Sequence, residues 1–201
     1  QLKTILANRW NTELIPSTTE PLSELERNAE FFSGFINKLY LPSYPELQLS
    51  GDCNIRELNC KSFYVLSLGA NKKYREWPHK YYAKIADKIH KKTGWLGLIC
   101  GAENEFALGE HIKKLCDAPL QNYSGQTTLP ELACLLVKSQ ILISNETGTA
   151  HIANAVRTPT VCILGGGHFG RFAPYPELSG GINSLKVVYH KMPCYGCDWK
   201  C

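Results

Sequence analysis

From residue 62 onward, short apolar runs closed by glycine alternate with segments whose apolar residues recur at helical spacing. Phe63 to Leu68 is the first run, closed by Gly69. Pro78 suits a helix first turn, and Tyr82, Ile85, Ala86 and Ile89 follow at i, i+3, i+4 and i+7, up to a stop at Lys91, Lys92 and Gly94. Trp95 to Cys100 is the next strand, closed by Gly101, and Glu105 to Cys116 the next helix. Thr128-Leu129-Pro130-Glu131 reads as a capping box ahead of Leu132, Leu135 and Leu136. A strand over 140–144, a short helix from Thr147 to Val156, a strand over 160–164 closed by three glycines and a last strand over 185–189 complete the pattern. Strands and helices in this alternation mean an α/β fold, with a Rossmann-like parallel sheet, helices on both faces and right-handed crossovers.

The segment before this is less regular. Residues 22–40 place Leu22, Leu25, Ala29, Phe32, Phe35, Ile36 and Leu39 on one helical face, and Pro42 and Pro45 end it. Residues 1–20 read as the end of another unit and 42–61 as an irregular connector; the start at Gln1 reads as the middle of a longer protein. No run approaches the ~18 apolar residues that a membrane-spanning helix needs. The net charge of +4 is not gathered into the basic stripe of a duplex binder, so no nucleic-acid partner is expected. The nine cysteines are odd in number, and Cys100 and Cys162 lie inside apolar runs. That pattern predicts reduced core thiols in a cytosolic protein rather than a disulfide frame. For the tail Cys194-Tyr195-Gly196-Cys197-Asp198-Trp199-Lys200-Cys201 the expectation is again plain thiols. A zinc half-site lacking its fourth ligand, or a disulfide, stays open there.

In parallel sheets ligands bind outside the carboxyl ends of the strands, at the switch in strand order. The turns at 69–73, 101–105, 124–128, 145–149 and 165–168 would all gather on that edge, and each is rich in glycine and small polar residues. The most informative is Ser144-Asn145-Glu146-Thr147-Gly148-Thr149-Ala150-His151, where a strand runs into a helix. The amides of Gly148, Thr149 and Ala150 would point out of the helix start and suit a phosphate. His151, one turn on, could reach the same anion. A plain N-cap at Thr147 and a surface histidine at His151 would use the same residues, and spacing alone does not separate the two readings. The G-x-G-x-x-G fingerprint is absent after the first strand, as is the P-loop pattern, which argues against a nicotinamide oxidoreductase or a P-loop enzyme. Gly165-Gly166-Gly167-His168-Phe169-Gly170 fits the first pattern loosely but runs into Arg171-Phe172-Ala173-Pro174, so it reads as a loop.

Four motifs in order carry a family resemblance: Gly69-Ala70 followed by basic residues and Trp77-Pro78; Gly101-Ala102 with Glu105; Ser124-Gly125-x-Thr127-x-Leu129-x-Glu131-Leu132-Ala133; and Ser144-Asn145-x-Thr147-Gly148-x-x-His151. Together they resemble the C-terminal domain of glycosyltransferase family 9, the heptosyltransferases of lipopolysaccharide core assembly, over about residues 20–201. The resemblance implies the C-terminal half of a two-domain GT-B type glycosyltransferase. Residues 1–20 would be the tail end of a missing N-terminal acceptor domain, 21–61 an interdomain helix and connector, 62–193 the nucleotide-sugar-binding domain and 194–201 a Cys-rich tail. It implies donor contacts at Asn71, Lys72, Arg75, Glu105, Thr127, Thr128, Glu146, Thr147, Gly148, Thr149 and His151. Arg75 stands where the family usually has Lys, and Glu146 where it has Asp, so that the charge is kept and one methylene is added. The implied reaction moves a sugar, ADP-heptose being the implied donor, to a lipopolysaccharide-core acceptor with inversion. The catalytic base and any peripheral membrane contact would belong to the missing domain, and the cytoplasm, at the inner face of the inner membrane, would be the location. No cofactor and no catalytic metal are expected, since the sequence shows no Asp-x-Asp or carboxylate pair of the metal-dependent kind. The alternatives are a non-catalytic nucleotide-sugar-binding module and a transferase or epimerase of the same architecture using another nucleotide sugar.

Overall fold

A computed structural model describes residues 14–49, 53 and 62–200. Its centre is a six-stranded sheet of β1 (Phe63–Ser67), β2 (Leu96–Ile99), β3 (Leu120–Asn122), β4 (Leu142–Asn145), β5 (Thr160–Ile163) and β6 (Leu185–Val188). The spatial order is β3-β2-β1-β4-β5-β6, and every neighbouring pair is parallel. The switch in order therefore falls between β1 and β4. β3 is a strand that the hydrophobic pattern does not announce: it is three residues long and its Gln121 is exposed.

Alternation along β1 builds a core on each face. Tyr64 and Leu66 pack with Tyr82, Ala83 and Ala86 of helix α2 (His79–Thr93) and Ile112 of α3 (Phe106–Lys113). Phe63 and Val65 pack with Leu132, Leu135 and Leu136 of α4 (Leu129–Lys138) and Ala153 of α5 (Gly148–Ala155). Consecutive strand residues point to opposite faces, so a fully buried β1 needs helices on both sides. Each large side chain so buried contributes on the order of 1.5–3 kcal/mol. Helix boundaries follow local chemistry. α2 ends in a left-handed Gly94 whose N–H bonds the His90 carbonyl. α4 starts with the expected capping box of Thr128 and Glu131. α3 is shorter than expected: a 3-10 turn occupies Glu103–Glu105, and the helix ends at Lys113 in i→i+3 bonds from Lys114 and Leu115.

An additional helix, α1 (Glu24–Ile36), precedes the sheet and opens with a capping box of Ser23 and Glu26. It is tied to the domain by the Glu24 N–H on the Arg171 carbonyl and by the Arg171–Glu24 ion pair at 2.7 Å. Only Ala29 of this helix is buried, while Phe31, Phe32, Phe35 and Ile36 are about half exposed or more. The helical face expected over 22–40 thus exists over a shorter span and is largely uncovered among the described residues. Residues 1–13, with most of the segment read as the end of another unit, and most of the connector over 50–61 lie outside the described residues.

The cysteine expectation needs one correction. Cys53 and Cys134 form a disulfide that joins the connector to α4, with Cα atoms 5.2 Å apart across 81 residues of sequence. The odd count and the apolar settings of the other thiols carry no sign of this pairing, because it depends on a contact between residues 81 apart in sequence. Cys100 and Cys162 are buried free thiols, as expected, and Cys194 and Cys197 are free.

The sheet edge is tied together by one buried side chain. Asn145, at the end of β4, donates its amide N–H groups to the carbonyls of Leu68 (2.6 Å) and Gly69 (3.3 Å), and its Oδ1 accepts from the Trp77 N–H at 2.9 Å. Asn145→Ala should leave these buried groups unpaired and destabilise the chain by about 2–4 kcal/mol in urea unfolding. A loss below ~1 kcal/mol would show that the tie is dispensable.

Candidate functional site

Two clefts open on the carboxyl edge of the sheet and meet at Asn71, Thr147 and Gly148. The first, of about 400 Å³, runs from Gly69 and Gly101 past Glu105 to Thr127, Thr128, Leu132 and Ile152. The second, of about 350 Å³, is bounded by Arg75, Glu146, His151 and Phe172. They lie at the switch point because the turns after β1 and β4 leave in opposite directions there.

The start of α5 lies at their junction. Thr147 occupies the N-cap position in extended conformation, but its hydroxyl makes no cap bond. That hydroxyl is buried with no hydrogen-bond partner among the described residues, as is Glu146 Oε1. The amides of Gly148 and Thr149 likewise meet no acceptor among the described backbone bonds. Gly148 lines both clefts and Thr149 the first, and a Cβ built on Gly148 would meet nothing within 4 Å, so the helix start borders open space. The Ala150 amide, expected to join them, is instead spent on the Thr147 carbonyl at 3.1 Å, because the first turn of α5 is tight. Two amides, an orphan hydroxyl and the positive end of a helix form a corner whose chemistry suits an anion.

Arg75 and Glu146 face each other across the second cleft. Arg75 Nη2 donates to the Glu146 carbonyl at 3.3 Å and to its carboxylate at 3.4 Å. Burial pushes the Glu146 carboxyl up to about 7, and Arg75 only partly offsets this. His151 stands one turn along α5, with Nδ1 2.6 Å from the Tyr175 hydroxyl. Burial lowers the His151 pKa and raises that of Tyr175 to about 12, so both are neutral near pH 7. With Nδ1 engaged by Tyr175, Nε2 is the nitrogen left for a ligand. Tyr175 was not singled out in the sequence; it follows an irregular loop, 24 residues from the histidine that it orients.

In the first cleft, the Glu105 carboxylate fills the space that side chains at Gly69 and Gly101 would take: a Cβ on either glycine would come within 2.0 Å of it. Burial raises its pKa, with the Ala102 hydrogen bond opposing and Glu76 adding to the rise. Thr127 and Thr128 line the same cleft, but the Thr128 hydroxyl is committed to Glu131 in the α4 cap. Lys72 is exposed and lines neither cleft; it precedes the 3-10 turn Lys73–Arg75, which aims Arg75 inward and leaves Lys72 at the surface. The structure therefore brings together ten of the eleven residues singled out in the sequence, Lys72 being the exception. Asn145 and Tyr175 are the additions.

Fold and site define a doubly wound α/β domain with an open helix start between two joined clefts. Residues 17–196 match the profile of glycosyltransferase family 9 (heptosyltransferase), and the chain belongs to that family. Among curated proteins it is similar to lipopolysaccharide heptosyltransferase 3 of Escherichia coli K12, at 27% identity over 139 residues, covering 68% of this chain and 40% of that protein. Lipooligosaccharide heptosyltransferase 2 of Haemophilus influenzae is 30% identical over 95 residues, covering 45% of this chain and 27% of that protein. The chain thus spans well under half the length of these relatives. Among solved structures, E. coli heptosyltransferase WaaC with ADP-2-deoxy-2-fluoro heptose superposes with a TM-score of 0.57 at 16% identity, over 91% of this chain and 54% of that one. ADP-heptose heptosyltransferase II of E. coli gives 0.55 at 21%, over 64% and 40%. At these identities the superpositions establish the shared fold.

The Glu146 environment makes a pH prediction. A carboxyl raised from 4.5 to about 7 in the fold contributes stability as its protonated form below pH 4.5 and loses it as pH rises through about 7. The stability difference between Glu146→Gln and wild type, measured by urea unfolding, should therefore grow in favour of the variant across that window, by on the order of 1–3 kcal/mol. A difference independent of pH would mean that Glu146 titrates normally.

Proposed function

We propose that this chain is the donor-binding part of an inverting glycosyltransferase that moves a heptose from ADP-heptose to a lipopolysaccharide-core acceptor. The observation that carries the reading is the unplugged start of α5, with free amides at Gly148 and Thr149 opening onto both clefts at once. A diphosphate held there would direct its nucleoside into the Glu105–Thr127–Ile152 cleft and its sugar toward Arg75, Glu146 and His151. The names of the curated relatives and of the ADP-heptose-bound structural neighbours support that choice of donor and acceptor class.

In this mechanism the acceptor hydroxyl attacks the anomeric carbon from the face opposite the diphosphate, and the bond to the leaving oxygen breaks with inversion. Negative charge grows on the diphosphate as the bond lengthens. The Arg75 guanidinium, the two amides and a neutral His151 N–H would all meet that charge, and preorganised donors of this kind are worth about 3–4 kcal/mol each in a site that excludes water. Glu146, poised near neutrality, would contact the sugar as hydrogen-bond donor or acceptor. The longer part of the relatives, beyond what this chain matches, is assigned acceptor binding and the catalytic base. Charge neutralisation rests on protein groups, so a protein that joins this chain to the part assigned the base is expected to keep full activity in the presence of a chelator.

Gly148→Asp tests the carrying observation. A carboxylate at the first position of a helix favours the helix itself, so the melting temperature should hold. It would also occupy the anion corner, so ADP-heptose affinity measured by calorimetry should fall by about 100-fold or more, roughly the worth of one strong charge-assisted contact pair. Unchanged affinity would remove the diphosphate from this corner. Across ADP-, UDP-, GDP- and CDP-sugars the ADP-sugar should raise the wild-type melting temperature most, and a preference for a different nucleotide would overturn the choice of donor.

A further inference from the structure

The segment after β6 folds back over the carboxyl edge of the sheet. Its backbone is tied to the glycine run that follows β5: the Gly196 N–H bonds the Gly166 carbonyl at 2.8 Å, and the Asp198 N–H bonds the Gly167 carbonyl at 2.9 Å. The three glycines admit two rings. A Cβ on Gly165 or Gly167 would lie 2.4 or 2.3 Å from the Trp199 indole, and one on Gly166 would lie 2.5 Å from the Tyr195 ring. Rigid rings cannot yield that much, so side chains at these positions would expel the tail. Asp198 and Trp199 both have left-handed backbone, at φ 52° and 56°, which non-glycine residues adopt only when their surroundings hold them there.

The strained arrangement puts the indole in one place. Its face lies 5.3 Å from Arg75 Cζ, its edge donates from Nε1 to His168 Nδ1 at 3.3 Å, and Tyr74 packs 5.4 Å away. Arg75 is thus held between an aromatic face and the Glu146 carbonyl and carboxylate. An arginine on a 3-10 turn would otherwise sample many rotamers; a π face fixes the plane of its guanidinium and leaves the N–H fork available.

We propose that Trp199 is a positioning residue for Arg75, its indole holding the guanidinium in line with the anion corner at the start of α5. The proposal rests on the donor-site reading above. It gives the tail 194–199 a role unconnected with its cysteines, as a backing for Arg75 on the side away from Glu146. It also gives the run Gly165-Gly166-Gly167 a purpose other than phosphate contact, namely to receive that tail.

Calorimetry with ADP as the probe, on the chain and its variants, tests this. Trp199→Ala should weaken ADP binding about 5- to 30-fold, which at 1.4 kcal/mol per tenfold is the range of a partly desolvated cation–π contact. Trp199→Phe, which keeps a face, should stay within ~3-fold of wild type, and Gly167→Ala should reproduce the loss by displacing the indole. In an Arg75→Ala background, Trp199→Ala should add less than ~2-fold, since it acts through the missing guanidinium. An equal loss in both backgrounds, or wild-type affinity in Trp199→Ala, overturns the proposal while leaving the donor site standing. Wild-type protein that binds no ADP overturns the donor-site reading and the proposal with it. A readout free of ligand separates the two. The Arg75 side-chain protons should show an upfield ring-current shift in NMR spectra of the wild type that Trp199→Ala abolishes; absence of that shift in the wild type refutes the stacking on its own.

Discussion

The three hydrogen bonds of Asn145 hold the site in register with the fold. The residue sits at the switch between β1 and β4, where consecutive turns leave the sheet in opposite directions and nothing in the sheet ladder itself joins them. Its amide takes the first two carbonyls after β1, those of Leu68 and Gly69, and its Oδ1 takes the Trp77 N–H, so the loop that carries Arg75 is fixed at both of its ends to the strand that launches α5. A hydrophobic residue there could fill the space but would take the side-chain partner from one donor and two acceptors, each expensive to bury unpaired. The distance between Arg75 and the free amides of Gly148 and Thr149 is in this sense set by one asparagine.

Around that tie the structure leaves several polar groups unpaired. Glu146 Oε1 and the Thr147 hydroxyl are buried without partners among the described residues, and the two amides next to them meet no acceptor among the described backbone bonds. Native proteins keep few such groups, because each costs free energy unless something else answers it. Here the donors and acceptors are grouped on consecutive residues at the start of α5, in a cleft that Arg75 also lines. A bound diphosphate and sugar would satisfy them together. The carboxyl pushed up to about 7 belongs with them: burial raises it, and Arg75 offsets the rise only in part.

Much of this was legible in the residue pattern. The strand–helix alternation gave the parallel sheet because each apolar run was closed by glycine and each helix carried its own stop or cap, as at Lys91–Gly94 and Thr128–Glu131. The turn 145–149 stood out because a strand-to-helix junction without a bulky residue must expose amides. What was hidden depended on distance in sequence. β3 has three residues and an exposed Gln121, too few to show alternation. Asn145 resembled a turn residue, since its partners at 68, 69 and 77 come from another part of the chain. Tyr175 reaches His151 across an irregular loop, Cys53 meets Cys134 across 81 residues of sequence, and the packing of Trp199 and Tyr195 on three glycines cannot be read from a run that looks like a plain loop. Lys72 points the other way, singled out by neighbouring charge but left at the surface by the 3-10 turn after it.

The central claim is that the start of α5 holds the diphosphate of an activated sugar, and a crystal structure of the chain with ADP-heptose tests it most directly. The account predicts phosphate oxygens within ~3.2 Å of the Gly148 and Thr149 nitrogens, with the Arg75 guanidinium on the same diphosphate and the base beside Thr127 and Ile152. Phosphates bound elsewhere on the sheet edge, with those amides facing only water, would contradict it.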